Sequence, residues 1–99
     1  MSYSVVLTDP ALAELTALPA RARSRIRQRV GSLAEDPRPR GSRRLAGRSD
    51  LWRVRVGDYR VIYTIRDDEL VVLVVRIGNR KRVYDRLSRL RPPDQPHEG

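Results

Sequence analysis

Residues 52–60 read Trp-Arg-Val-Arg-Val-Gly-Asp-Tyr-Arg, and this stretch constrains the fold more than any other. Two alternating runs meet at Gly57-Asp58, and glycine in the first of two central positions is what a type II′ hairpin turn requires. A two-residue turn fixes the register of both strands. Val56 then faces Tyr59, Arg55 faces Arg60, Val54 faces Val61, Arg53 faces Ile62 and Trp52 faces Tyr63. Opposed residues share a face, so Arg53, Arg55 and Arg60 project to one side of the sheet. Like charges directly opposite one another destabilise a strand pair. An anion between Arg55 and Arg60 resolves that conflict, and a phosphate is the natural candidate.

The rest of the chain supplies the layers around this hairpin. Tyr3 to Leu7 is a short β-rich run. Asp9-Pro10 reads as an N-cap followed by proline at the first helical position. Leu12, Leu15 and Leu18 then form one apolar stripe before Pro19 breaks the helix. A second helix is predicted from about Arg21 to Ala34, with Ala22, Ile26, Val30 and Leu33 on a narrow apolar arc and Arg21 and Arg25 pointing away. Its five arginines, at 21, 23, 25, 27 and 29, read as a solvated helix face in preference to a nucleic-acid-binding edge. Asp36 to Asp50 is a loop rich in proline, glycine and arginine, with Leu45 as its only large apolar residue. Hairpin strands follow over about Leu51–Val56 and Tyr59–Arg66. Asp67-Asp68 then turns the chain into Leu70–Ile77, a nearly continuous aliphatic run that suggests a central strand, ended by Gly78-Asn79.

This order, β-α-α-β-β-β plus a short helical pattern near Asp85–Leu90, predicts an α+β fold. A helical hairpin covers one face of an antiparallel-rich four-stranded sheet. Residues 1–91 form a single domain in this reading, and 92–99, polar and proline-rich, a disordered tail. Because an unpaired buried arginine is costly, the arginine face must be the one the helices leave open. Trp52, Val54, Tyr59, Val61 and Tyr63 then face the core, which makes Trp52 and Tyr63 packing residues and not a base-stacking platform.

Charge narrows the function. The net charge is +9, and it is clustered. Eight arginines against three aspartates give 36–60 a net +5, and six arginines with one lysine against one aspartate give 76–91 a net +6. Such a field draws polyanions or an acidic protein partner. The chain has no cysteine, which excludes disulfides and thiolate metal sites and is compatible with a reducing cytoplasm. The N-terminus lacks the pattern of a signal peptide, and the longest apolar run is too short for a bilayer. His97, the only histidine, sits in the tail. There is no Ser-His or Cys-His pair, no metal-ligand cluster and no Walker-type loop. What remains is an arginine cluster with a possible tyrosine, Tyr84. Such a site can clamp a phosphate bidentately and stabilise developing charge, but arginine is a poor proton shuttle.

The order and spacing of several segments resemble the RelE branch of the RelE/ParE superfamily of bacterial type II toxins. These segments are Tyr3-Ser4-Val5, Leu18-Pro19, Asp36-Pro37, Leu45-Ala46-Gly47 and Leu51-Trp52-Arg53-Val54-Arg55. Gly57-Asp58-Tyr59-Arg60-Val61-Ile62-Tyr63, Val74-Val75-Arg76-Ile77-Gly78-Asn79-Arg80 and Val83-Tyr84 complete the set. The resemblance implies a ribosome-dependent endoribonuclease that cuts messenger RNA without a metal or other cofactor, by attack of the ribose 2′-hydroxyl on the adjacent phosphate. It implies catalytic roles for Arg53, Arg55, Arg60, Arg80 and Tyr84. Arg53 and Arg60 would stabilise the phosphate, Arg80 would assist the leaving oxygen, and Tyr84 would orient a base or help deprotonate the hydroxyl. Arg43, Arg44, Arg48, Lys81 and Arg82 form the candidate RNA-contacting set. Well-known members carry lysine where this chain has Arg53 and Arg55. Lysine can serve as a base and arginine cannot easily do so, which leaves the general base open. The resemblance also implies a cytoplasmic protein neutralised by a cognate antitoxin, with operator DNA bound only through that antitoxin. Two alternatives share the charge pattern: a non-enzymatic, ParE-like inhibitor of DNA gyrase, and a plain basic nucleic-acid-binding module.

Overall fold

The computed structural model describes residues 2–79. The expected short helix near Asp85–Leu90, the tail 92–99, and Arg80, Lys81, Arg82 and Tyr84 lie outside the described residues. Within them the order is β1 (Ser4–Leu7), α1 (Asp9–Thr16), α2 (Ala20–Ser32), β2 (Arg43–Leu45), β3 (Arg48–Val56), β4 (Tyr59–Arg66) and β5 (Val71–Asn79). The sheet runs β1-β5-β4-β3-β2. β1 lies parallel to β5 and every other pair is antiparallel.

The hairpin register is the one the turn dictates: Val56 pairs with Tyr59, Arg55 with Arg60, Val54 with Val61, Arg53 with Ile62 and Trp52 with Tyr63. Gly57 has φ of 61°, and Asp58 is not among the residues of positive φ, as a type II′ turn demands. The sheet has five strands where four were expected. The additional strand, β2, lies inside the stretch read as loop, and Gly47, at φ 78°, lets the chain double back so that Leu45 pairs with Arg48. β5 also outruns its expected end, because Gly78 and Asn79 remain paired with Arg60 and Tyr59.

Both helices cover one face. Ile26 and Val30 of α2, Leu33 just past its end, and Ala11 and Leu15 of α1 pack with Val54, Val56, Val61, Tyr63, Val72, Val74 and Ile77. Leu12, expected in the apolar stripe, is 50% exposed. The i, i+4 pair Ala11–Leu15 lies along the contact line instead, since a spacing of three falls short of a full helical turn. Thr8, not Asp9, caps α1: its Oγ1 accepts from the Ala11 amide at 3.2 Å. The arginines of α2 are not simply solvated. Arg23 donates to the carbonyls of Thr16 and Leu18 at the end of α1, at 3.3 and 3.2 Å. The Arg25 guanidinium lies over the hairpin turn, where a Cβ on Gly57 would meet its Nη1 at 3.3 Å.

Tyr63 is fully buried, and its hydroxyl donates to the Pro37 carbonyl at 2.8 Å, tying the segment before β2 to the core. Burial pushes the phenol pKa up, so the donor stays protonated. Tyr63→Phe leaves that carbonyl without its donor and should cost about 1–3 kcal/mol, read as a lower denaturant midpoint with an unchanged m-value.

Candidate anion-binding face

The face away from the helices carries the arginines, and strand pairing sets their arrangement. Arg43 pairs with Arg53, Arg53 with Ile62 and Ile62 with Arg76, so these four residues form one row across β2, β3, β4 and β5. Arg55, Arg60 and Gly78 form the next row. Arg60 therefore sits at the centre. It is directly opposite Arg55 and diagonal to Arg53 and Arg76, and diagonal neighbours lie about 7–8 Å apart, within reach of long side chains. Opposite it on β5 stands Gly78, which has no side chain to compete for the space.

Arg60 is only 7% exposed, although it was expected to lie open to solvent with the rest of this face. A long aliphatic stem can lie flat along a sheet and bury a residue whose head carries charge. The face is also less polar than expected. Leu51 and Ile62 form a second small apolar cluster, with Leu45 and Val75 packed against it. Arg60 Nη1 donates to the Tyr59 carbonyl at 3.3 Å, while the buried Nε atoms of Arg60 and Arg76 have no hydrogen-bond partner. Among the described residues the ion pairs are Arg38–Asp67 and Arg48–Asp50, at 2.8 and 3.4 Å, and neither involves this face. Five guanidinium groups thus share one surface, and among the described residues no carboxylate pairs with any of them. A face of that kind stabilises an anion by fixed charge and directed N–H groups.

The other expected contacts fall elsewhere. Arg44 pairs with Trp52, on the helix side, and its guanidinium lies 5.3 Å from the indole centroid. Arg38 lies over the same ring at 5.5 Å. Trp52 therefore packs against the core and carries cations on its exposed part, in keeping with its reading as a packing residue. Arg48 is engaged by Asp50 at the strand edge. Of the five candidate RNA contacts, only Arg43 lies beside Arg53 among the described residues. Arg76 was missed by sequence reasoning. The available signal was a lone charge in an otherwise aliphatic strand; what hid it was the irregularity between Ile62 and Tyr63, which shifts β5 by one residue.

The segment leading to β2 is braced from a distance. Asp67 accepts from the Tyr3 hydroxyl at 2.6 Å and pairs with Arg38 at 2.8 Å. The Arg38 guanidinium, then the Tyr3 hydroxyl, hold the Asp67 carboxyl below the usual carboxylate range. A carboxyl with a depressed folded pKa contributes stability above its unfolded pKa, about 3.9, and loses it as pH falls through the folded value. Asp67→Asn should therefore melt below wild type at neutral pH, and the gap should close in melts taken below about pH 4.

Among the described residues no three His, Cys, Asp or Glu side chains gather to hold an ion. Nor is any described helix long and apolar enough to cross a membrane. A groove of about 510 Å³ lies on the helix side between α1 and the ends of β4 and β5, lined by Pro10, Ala13, Tyr59 and Ile77 among others. It contains none of the five arginines.

A family model described as the ParE toxin of the parDE type II toxin–antitoxin system matches residues 5–84, most of the chain. This chain belongs to the RelE/ParE superfamily of type II toxins. Several of its relatives are named RelE toxins. It is 32% identical to toxin RelG of Mycobacterium tuberculosis, over 87% of this chain and all of that one. It is 27% identical to the mRNA interferase toxin RelE of Escherichia coli, over 83% of this chain and 87% of that one. The archaeal RelE–RelB complex of Pyrococcus horikoshii superposes with a TM-score of 0.72 at 31% identity, covering 83% of this chain and 99% of the matched one.

Proposed function

We propose that this RelE-branch toxin is a ribosome-dependent endoribonuclease that cuts messenger RNA without a metal. The observation that carries the reading is Arg60, buried at the centre of the arginine face and opposite Arg55. In the proposed reaction the 2′-oxygen bonds to the adjacent phosphorus as the bond to the 5′-oxygen breaks. The products are a 2′,3′-cyclic phosphate and a free 5′-hydroxyl. Arg53 and Arg60 stabilise the charge that builds on the phosphate oxygens, and Arg55 holds the phosphate from the facing strand. By family resemblance Arg80 assists the departing 5′-oxygen, and Tyr84 orients a base or helps deprotonate the 2′-hydroxyl, whose proton passes to water while the 5′-oxygen takes one up from water.

With arginine at 53 and 55, positioning and electrostatics carry more of the rate than proton transfer does. That is why the reaction would need the ribosome to align the message. In a translation system of purified components, the toxin should cut message on ribosomes and leave the same RNA nearly intact when free. Brisk cleavage of free RNA would contradict ribosome dependence. In the cell this activity belongs in the cytoplasm, held in check by a cognate antitoxin, which also mediates any operator binding. The crystal structure of the P. horikoshii relative is a complex with RelB, which supports such a partner.

One observation favours a second reading: the matching family model is described as a ParE toxin. A gyrase inhibitor would produce DNA breaks with message left whole. The arginines gathered on the face away from the helices favour the ribonuclease, since function follows the site and not the fold.

A further inference from the structure

Arg76 belongs to neither the catalytic nor the RNA-contacting set above, yet it is built into the same face. We propose that Arg76 binds the phosphate next to the scissile one, so that the site grips two consecutive phosphates of one RNA strand with Arg60 between them. This rests on the ribonuclease reading and extends it.

Position comes first. Arg76 stands opposite Ile62 and diagonal to Arg60, while Arg53 lies beyond Ile62 on the far side. The row from Arg53 to Arg76 therefore spans two strand spacings, roughly 9.5 Å. That is more surface than a single phosphate covers. Charge points the same way: one phosphodiester carries one negative charge, and five guanidinium groups share this face.

Preorganisation is the second argument. The backbone on either side of Arg76 is held from α1, because β1 ends too early to pair with this part of β5. Thr8 Oγ1 donates to the Val75 carbonyl at 3.2 Å, and Glu14 Oε1 accepts from the Ile77 amide at 2.8 Å. The register shift at Ile62/Tyr63 places Arg76 in the arginine row, and such irregularities re-aim side chains beside functional sites. The third argument is an unmet donor. Arg76 Nε is buried without a partner, as is Arg60 Nε, and a buried donor costs free energy until an acceptor meets it.

The competing role is structural, with the Arg76 stem merely packing on Ile62. A salt series separates the two. The probe is a short oligouridine with 2′-O-methyl groups throughout, which lacks the attacking hydroxyl, and binding to the full chain is read by fluorescence anisotropy. For single strands, log K falls against log salt by about 0.7 for each phosphate neutralised. Arg76→Gln should flatten that slope by about 0.7, and Arg76→Lys should keep it. An Arg76→Gln slope equal to wild type overturns the proposal, whatever happens to affinity or melting temperature. If Arg76→Gln keeps the RNA slope but loses affinity for an acidic peptide, the site serves protein carboxylates and the proposal is again overturned. Should wild type cut message on ribosomes while Arg76→Gln shows no slope change, this inference fails and the ribonuclease reading stands. A wild type that neither binds the oligonucleotide nor cuts message sinks both.

Discussion

Arg60→Met should give a protein that melts higher than wild type and barely cuts message. The two effects have one cause. In the folded protein Arg60 is 7% exposed, directly opposite Arg55, with its Nε unpartnered. Methionine has a similar reach and keeps the aliphatic contact; it gives up the long 3.3 Å bond from Nη1 to the Tyr59 carbonyl and removes both the like-charge opposition and the unmet donor. Relief of those terms is worth about 1 kcal/mol or more, which in a domain of this size raises the melting temperature by roughly 4–8 °C per kcal/mol. The same change removes a central donor to the phosphate, and the loss of one such donor costs about 10²–10³-fold in rate. A melt of the variant beside a cleavage assay on ribosomes checks both. A variant that melts lower, or one that cuts at the wild-type rate, would mean that the guanidinium is satisfied within the fold. Trade-offs of this kind are expected where a fold keeps strained groups for a ligand.

The second large effect lies on the other side of the sheet. Ile26→Ala should destabilise the chain by about 2–5 kcal/mol. α2 spends most of its thirteen residues on arginines and small polar groups, and only Ile26 and Val30 within it are buried. Ile26 is completely enclosed, so its truncation leaves a cavity where the helix meets the sheet. Against a total stability of about 5–15 kcal/mol, that loss takes a large share, and thermal melts should shift down by roughly 10 °C or more. Activity at low temperature should survive, because the arginine face is untouched. This outcome separates loss of fold from loss of chemistry, which the Arg60 variant shows in the reverse order.

How much of this was legible in the sequence depended on whether local chemistry or tertiary contact decided each feature. Gly57-Asp58 is a local signal, and it fixed five residue pairs and the shared face of Arg53, Arg55 and Arg60. The helical layer and the core assignments of Trp52, Val54, Tyr59, Val61 and Tyr63 followed from periodicity, which reports burial directly. The misses were tertiary. β2 is three residues long and exists because β3 offers an edge to pair with. Of the stripe Leu12, Leu15 and Leu18, only Leu12 falls outside the core, since the geometry of the sheet surface chooses which face of α1 it meets. Arg76 could be placed only once the register shift in β5 was known. Burial of Arg60 does not follow from its charge; it follows from its aliphatic stem, which can lie along the sheet. For the site, the sequence supplied the residue types and the hairpin supplied their side. The pairing of β4 with β5 supplied the rest.

The measurement that bears most directly on the ribonuclease reading is a map of RNA 5′ ends in cells shortly after the toxin is induced, in wild type and in Arg60→Met. New 5′ ends should appear inside translated coding sequence within minutes in wild type and be nearly absent in the variant. Arrested growth with intact message and broken DNA, or the same new ends in both strains, would contradict it.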